Sequence, residues 1–212
     1  MKYLSIFAIL LLLSCNERNN HIDFNDFNFS KDNTYLIFRG TNTKQGYFAK
    51  QFNIKDSLST HVGILQFKDS EWLIYNVSDF KDNFSDFKTQ NLNEFLTCRD
   101  GKVLYLSVWT IKGNDLKETR LITSVLKEYK KNKIEFDRYF SLNDSTKLYC
   151  SEFVNIVLKS VDSTKFNFKP IKRELKGVYK TYFKKDTLNY YPVDIFEFSP
   201  HIIKKKEWYF EE

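Results

Sequence analysis

The stretch 60–77 constrains the fold more than any other part of this chain. "THVGILQF" (60–67) and "EWLIYNV" (71–77) are rich in strand formers, and "KDS" (68–70) between them supplies turn chemistry. The pattern predicts an antiparallel hairpin. "TYLIFRG" (34–40) and "GKVLYLSVWT" (101–110) read as further strands, and "YYPVDIFEF" (190–198) has room for another. Residues 41–59 lack a clean period and read as a loop with some helix. Asp115 and Glu118 make a capping-box pattern before a helix to about Lys131, with Leu121, Ile122, Val125, Leu126 and Tyr129 in one stripe. A second helix is expected from Cys150 to Val161, with Phe153, Val154, Val157 and Val161 on its buried side. Phe and Tyr number 21 and 13 against 6 Gly and 3 Pro, which favours a sheet with helices over a loop-rich scaffold. The expected fold class is α+β: one domain, an antiparallel sheet with packed helices.

The first residues, "MKYLSIFAILLLLSC", read as a targeting segment outside that domain. Lys2 supplies a positive n-region, and Leu4–Leu13 is too short to span a bilayer comfortably. "LLSC" (12–15) resembles the lipobox of bacterial lipoproteins, which implies cleavage before Cys15 and lipid attached to it. Several acyl chains on one residue give a stable anchor where one is marginal. An ordinary secretory signal with an incidental cysteine is the other reading. The expected division is a signal peptide at 1–14, a lipidated N-terminus and polar tether at 15–30, and a domain at 31–212. It places the protein in the bacterial cell envelope, outside the cytoplasm.

The net charge of +6 is spread along the chain, and "KKNK" (130–133) and "KKK" (204–206) stand among acidic neighbours. This is a solvated surface rather than a nucleic-acid patch. With Cys15 assigned to lipid, Cys98 and Cys150 remain. They could pair in an oxidising compartment, or one could be a working thiol. His21, His61 and His201 are isolated, with no close His or Cys partner, so no metal site is expected.

Cys150 opens the second helix, beside unpaired N–H groups and the positive end of the helix dipole. That position lowers a thiol's pKa, and the same N–H groups can hold an oxyanion. The bland alternative is a buried core thiol. A nucleophilic thiol needs a base, and His61 stands on a predicted strand with Gly63 two residues on, leaving room for another backbone such as that of the Cys150 helix. A turn around Lys68–Asp69 would set Asn76 across from His61, where its carbonyl could orient the imidazole; a different turn would shift that pairing. Ser151 and Glu152 suit the first helical turn, with Glu152 aimed away from the thiol. Tyr149 is a candidate for the oxyanion site by position, Cys98 reads as structural, and His201 ranks below His61.

"LIFRG" (36–40), "STHVGIL" (59–65), "FDRYFSLNDSTKLYCSEFV" (136–154) and "YPVDIFEFSP" (191–200) together resemble the permuted papain-like cysteine hydrolases. These are the YiiX/YebB-like branch of the NlpC-type cell-wall hydrolases, in which the His strand precedes the Cys helix. The resemblance implies a circularly permuted papain-like fold, Cys150 as nucleophile and His61 as general base. The family's third polar residue, often acidic, falls on Asn76, and the usual opening "GD" is replaced by "DNTY". The implied activity is hydrolysis of a cell-wall peptide bond or of an acyl amide or ester, with no cofactor. The alternative is an inactive envelope lipoprotein that binds peptidoglycan, peptide or lipid with the same fold.

Overall fold

A computed structural model of the chain describes residues 22–79, 85–113 and 115–211. The signal segment, Cys15 and His21 lie outside the described residues. In chain order the elements are β1 (Thr34–Thr41), α1 (Lys44–Lys50), β2 (His61–Lys68), β3 (Glu71–Val77), β4 (Phe87–Gln90), α2 (Leu92–Leu96) and β5 (Val103–Ile111). Then come α3 (Leu116–Lys131), β6 (Glu135–Phe136), β7 (Lys147–Leu148), α4 (Cys150–Val161), β8 (Ile171–Glu174), α5 (Val178–Phe183), β9 (Thr187–Tyr190) and β10 (Ile202–Tyr209). No helix among the described residues is long and apolar enough to cross a membrane.

The architecture is α+β. Six antiparallel strands run in the order β10-β5-β1-β2-β3-β4, with β6–β7 and β8–β9 as separate small pairs. Side chains alternate across the sheet. Leu36, Phe38, Val62, Ile64, Tyr75 and Val77 form one face and bury Ile122 and Leu126 of α3 and Phe153, Val154 and Val157 of α4. Tyr35, Ile37, Leu65, Ile74, Leu106 and Val108 form the other, under Phe24 and Phe95.

Residues 22–30 depart from the expected polar tether. Phe24 sits in a 3-10 turn, Phe24–Asp26, capped by Asp23, and is only 2% exposed. It packs edge-on to Trp72 and Phe29, while Phe27 meets Trp208. Aromatic side chains spaced through an otherwise polar run let the segment cover the sheet's second face; the Asn and Asp residues between them gave the sequence its tether-like composition.

The hairpin forms with a different turn. Lys68 pairs with Glu71, so Asp69 and Ser70 are the two turn residues, at φ 50° and 69°. Positive φ at both positions is the type I′ arrangement whose twist matches paired strands. Helix α3 is capped by the Asp115 side chain on the Glu118 N–H, while the Glu118 carboxylate takes Lys165 Nζ at 2.9 Å. Leu121 of the expected stripe is 44% exposed, and burial centres on Ile122 and Leu126. Residues 190–198 hold the end of β9 and then a 3-10 turn, Val193–Phe198, rather than a strand. The buried Asp194 carboxylate in this turn accepts the N–H groups of Ile54, Lys55 and Asp56 and fixes the loop that leads into β2. Edge strand β10 was not expected from "IIKKKEWY", whose lysines face solvent along the sheet margin.

Candidate functional site

His61 is the first residue of β2, and its register partner on β1 is Arg39. The site grows from this end of the two central strands. Gly63 follows on the same face, and a Cβ there would meet the Tyr75 carbonyl oxygen at 3.0 Å and Asn76 Cβ at 3.2 Å. The missing side chain therefore makes room for Asn76 of β3, not for the Cys150 helix.

Asn76 Oδ1 lies 3.0 Å from His61 Nε2, and Ser78 Oγ is 3.0 Å from the same nitrogen. Ser78 also donates to Asn76 Oδ1 at 2.7 Å, while Asn76 Nδ2 donates to Gln90 Oε1 at 2.9 Å. Gln90 thus fixes which way the amide faces. With Oδ1 toward the ring, Nε2 carries the hydrogen and Nδ1 keeps the lone pair a base requires. Burial pushes the His61 pKa down to about 3, the Arg39 cation pushes the same way, and the Asn76 bond opposes both. The imidazole is neutral at physiological pH.

Cys150 begins α4 and is buried. The backbone N–H groups of Val62 and Ser151, the Arg39 charge and the Ser151 hydroxyl all favour its thiolate, yet burial outweighs them and holds the thiol above its ordinary pKa. The expected lowering by a helix N-terminus is therefore overturned: the dipole and N–H groups are present, but desolvation of a buried sulfur is larger. Cys150 thus reaches the backbone of Val62, the residue next to His61. Among the described residues no hydrogen bond joins the thiol to the imidazole.

Neighbouring candidates resolve differently. Tyr149 is a core anchor: its hydroxyl accepts from the Tyr191 N–H at 2.7 Å and its ring meets Phe140 at 4.6 Å. Ser151 Oγ donates to the Tyr191 carbonyl at 2.6 Å. Glu152 is buried, at 5% exposed, and burial, then Asp137, pushes its carboxyl up to about 8. Cys98 and Cys150 are both free thiols. His201 lies at the opposite end of the sheet, where its carbonyl accepts from Lys112 beyond β5. Among the described residues no group of three or more His, Cys, Asp or Glu side chains could hold a metal ion.

Sequence reasoning missed Arg39, Ser78 and Gln90. Arg39 stood in plain view in "LIFRG", one strand from His61, but only the β1–β2 register pairs the two. Gln90 lies on β4, a four-residue strand without a readable period.

The fold and this cluster define the class: an α+β protein with an antiparallel sheet and a buried histidine network at one end of its central strands. The fold is similar to that of the metalloprotein YiiX (DUF1105) from Escherichia coli O157:H7, known from a crystal structure. The TM-score is 0.61 at 16% identity, over 84% of this chain and 97% of that one. A likeness at this identity shows a YiiX-like fold. No protein-family model matches the sequence, and no curated protein matches it either.

Proposed function

We propose that this chain is an extracytoplasmic cysteine hydrolase of permuted papain-like topology, anchored through lipid on Cys15. The observation that carries the reading is the placement of Cys150 at the start of α4, with its thiol against the Val62 N–H. The adjacent residue, His61, is oriented through Nε2 by Asn76. The chain order, His strand before Cys helix, is that of the permuted hydrolases it resembles.

Both partners are neutral, so deprotonation accompanies attack. His61 Nδ1 takes the thiol proton as the sulfur–carbon bond forms, and N–H groups near Cys150 receive the carbonyl oxygen's charge. The imidazolium then returns the proton to the departing amine or alkoxide, and water, deprotonated by the same imidazole, releases the acyl group from sulfur. Contacts between catalytic groups are often long in a free enzyme and tighten with substrate. The substrates proposed are cell-wall peptides or acyl amides and esters, with no cofactor. The metal in the neighbour's description is not carried over: among the described residues no group of three or more His, Cys, Asp or Glu side chains stands together, and His61 Nε2 is already engaged by Asn76.

A second reading, an inactive envelope protein binding peptidoglycan, peptide or lipid, draws on the burial of Cys150 and its missing bond to His61. Acyl transfer separates the two. On incubation of the full chain with p-nitrophenyl acetate, mass spectrometry should find one acetyl group on Cys150 that is lost with time. Cys150→Ala should form no such adduct, and His61→Ala should form it on the order of a hundredfold more slowly. An unmodified Cys150 in the wild type would sink the enzyme reading in favour of binding.

A further inference from the structure

We infer that the aromatic and basic face built by α1, α5 and residues 138–140 docks on an anionic lipid bilayer. The inference takes the lipid on Cys15 as proposed above and does not depend on the chemistry proposed for Cys150.

Three segments distant in sequence meet at this face. The ring of Phe48 on α1 lies 5.6 Å from that of Tyr179 and 5.9 Å from that of Phe183, so α5 buries its inner side on α1. Val178 and Tyr182, four residues apart, take the outer side of α5 and are 74% and 48% exposed. Tyr139 closes against Tyr182 at 6.2 Å and is 56% exposed, and Tyr47, the residue before Phe48, is 69% exposed. Large apolar side chains exposed singly are ordinary, but a group of them on converging segments marks a surface that meets something.

Positive charge gathers at the same place. Residues 169–186 hold seven Lys or Arg against two acidic residues, an excess of five in a chain whose net charge is +6. The charge is therefore less evenly spread than the sequence reading took it to be. Both acids are already taken, Asp186 by Lys180 at 2.6 Å and Glu174 by Lys176 at 3.7 Å. Lys184 and Lys185, at the end of α5, are exposed, and among the described residues neither has a carboxylate partner. Lys44 is exposed one turn before Phe48, on the same side of α1. Tyrosines beside unpaired lysines fit the boundary of a bilayer: the rings take its apolar edge, and the ammonium groups meet anionic headgroups.

The N-terminus argues for the bilayer as the occupant. Phe24 is packed into the sheet's second face, and only six residues separate Cys15 from Ile22, where the described chain begins. Seven Cα steps reach at most about 25 Å, less than the width of a domain of this size. A domain held so closely by lipid on Cys15 keeps one face against the bilayer, and this face carries the matching chemistry.

Hydrogen exchange tests the inference on the full chain, mixed with liposomes of phosphatidylcholine alone or with a third of phosphatidylglycerol. On the anionic liposomes residues 44–50 and 178–186 should exchange about tenfold more slowly than on the neutral ones, with α3 unchanged. Salt at 1 M should release the face while the chain stays on the liposomes, because screening weakens headgroup attraction and not a lipid anchor. The variant Tyr182→Ser/Lys184→Glu/Lys185→Glu should lose the protection. Exchange at 178–186 that ignores lipid charge, equal protection of α3, or protection kept by the variant overturns the inference. So does protection that grows with protein concentration in the absence of liposomes, which would assign the face to a second copy. The mass of the Cys15 peptide reads the anchor separately. A chain without lipid that is protected at 178–186 keeps the inference and loses the anchor, and a lipidated chain without protection does the reverse. Neither readout involves acyl transfer to Cys150.

Discussion

At the residue scale, burial decides more than hydrogen bonding. His61, Cys150 and Glu152 each have groups that favour the charged form, and in each desolvation wins. Glu152 makes this measurable. Its folded pKa, near 8, lies above the ordinary carboxylate value of 4.5. Below 4.5 it is protonated in both states, and between 4.5 and 8 the unfolded chain ionises first and is favoured. Stability therefore falls as pH rises through that window, by at most about 1.4 kcal/mol per unit from this one group. Glu152→Gln should remove that part of the slope, so its melting temperature should gain on the wild type's from pH 5 to 8. Parallel curves would mean that Glu152 is ionised in the fold.

At the element scale, the β2–β3 hairpin sets the site. The turn lies one residue later than the sequence suggested, at Asp69–Ser70 rather than Lys68–Asp69. Moving a turn by one residue moves the pairing by two, and a two-residue shift keeps the same face of the sheet. Asn76 therefore still reaches His61, as a diagonal rather than a direct neighbour, and Ser78 joins it. Ser70 sits at φ 69°, a conformation in which glycine avoids the Cβ penalty. Ser70→Gly should stabilise the protein by about 0.5–1 kcal/mol in urea unfolding, offset in part by the flexibility glycine adds to the unfolded chain. It should leave Cys150 alkylation unchanged. A loss of stability would contradict the turn assignment.

At the scale of the whole molecule, one sheet is covered on both faces, by α3 and α4 on one and by α2 with residues 22–30 on the other. Phe24 tests the second cover. As part of a tether its truncation would change nothing; as packed here, Phe24→Ala should cost about 3 kcal/mol, read as a lower denaturant midpoint at unchanged slope.

What the sequence by itself determined is local. Alternation made the central strands legible, and the 3.6-residue period with the Asp115 cap gave α3. The apolar run after Cys150 gave α4, whose observed limits match the expected ones. The His61–Asn76 relation was legible because both lie on one hairpin, fifteen residues apart. Only the tertiary structure decided that Arg39 stands beside His61, that Gln90 turns the Asn76 amide, and that Asp194 ties the loop before β2. These depend on which strands become neighbours, which no local period encodes. The protonation of the candidate site was likewise decided by the fold, because a thiol and an imidazole take their charge from how much water the surrounding packing leaves them.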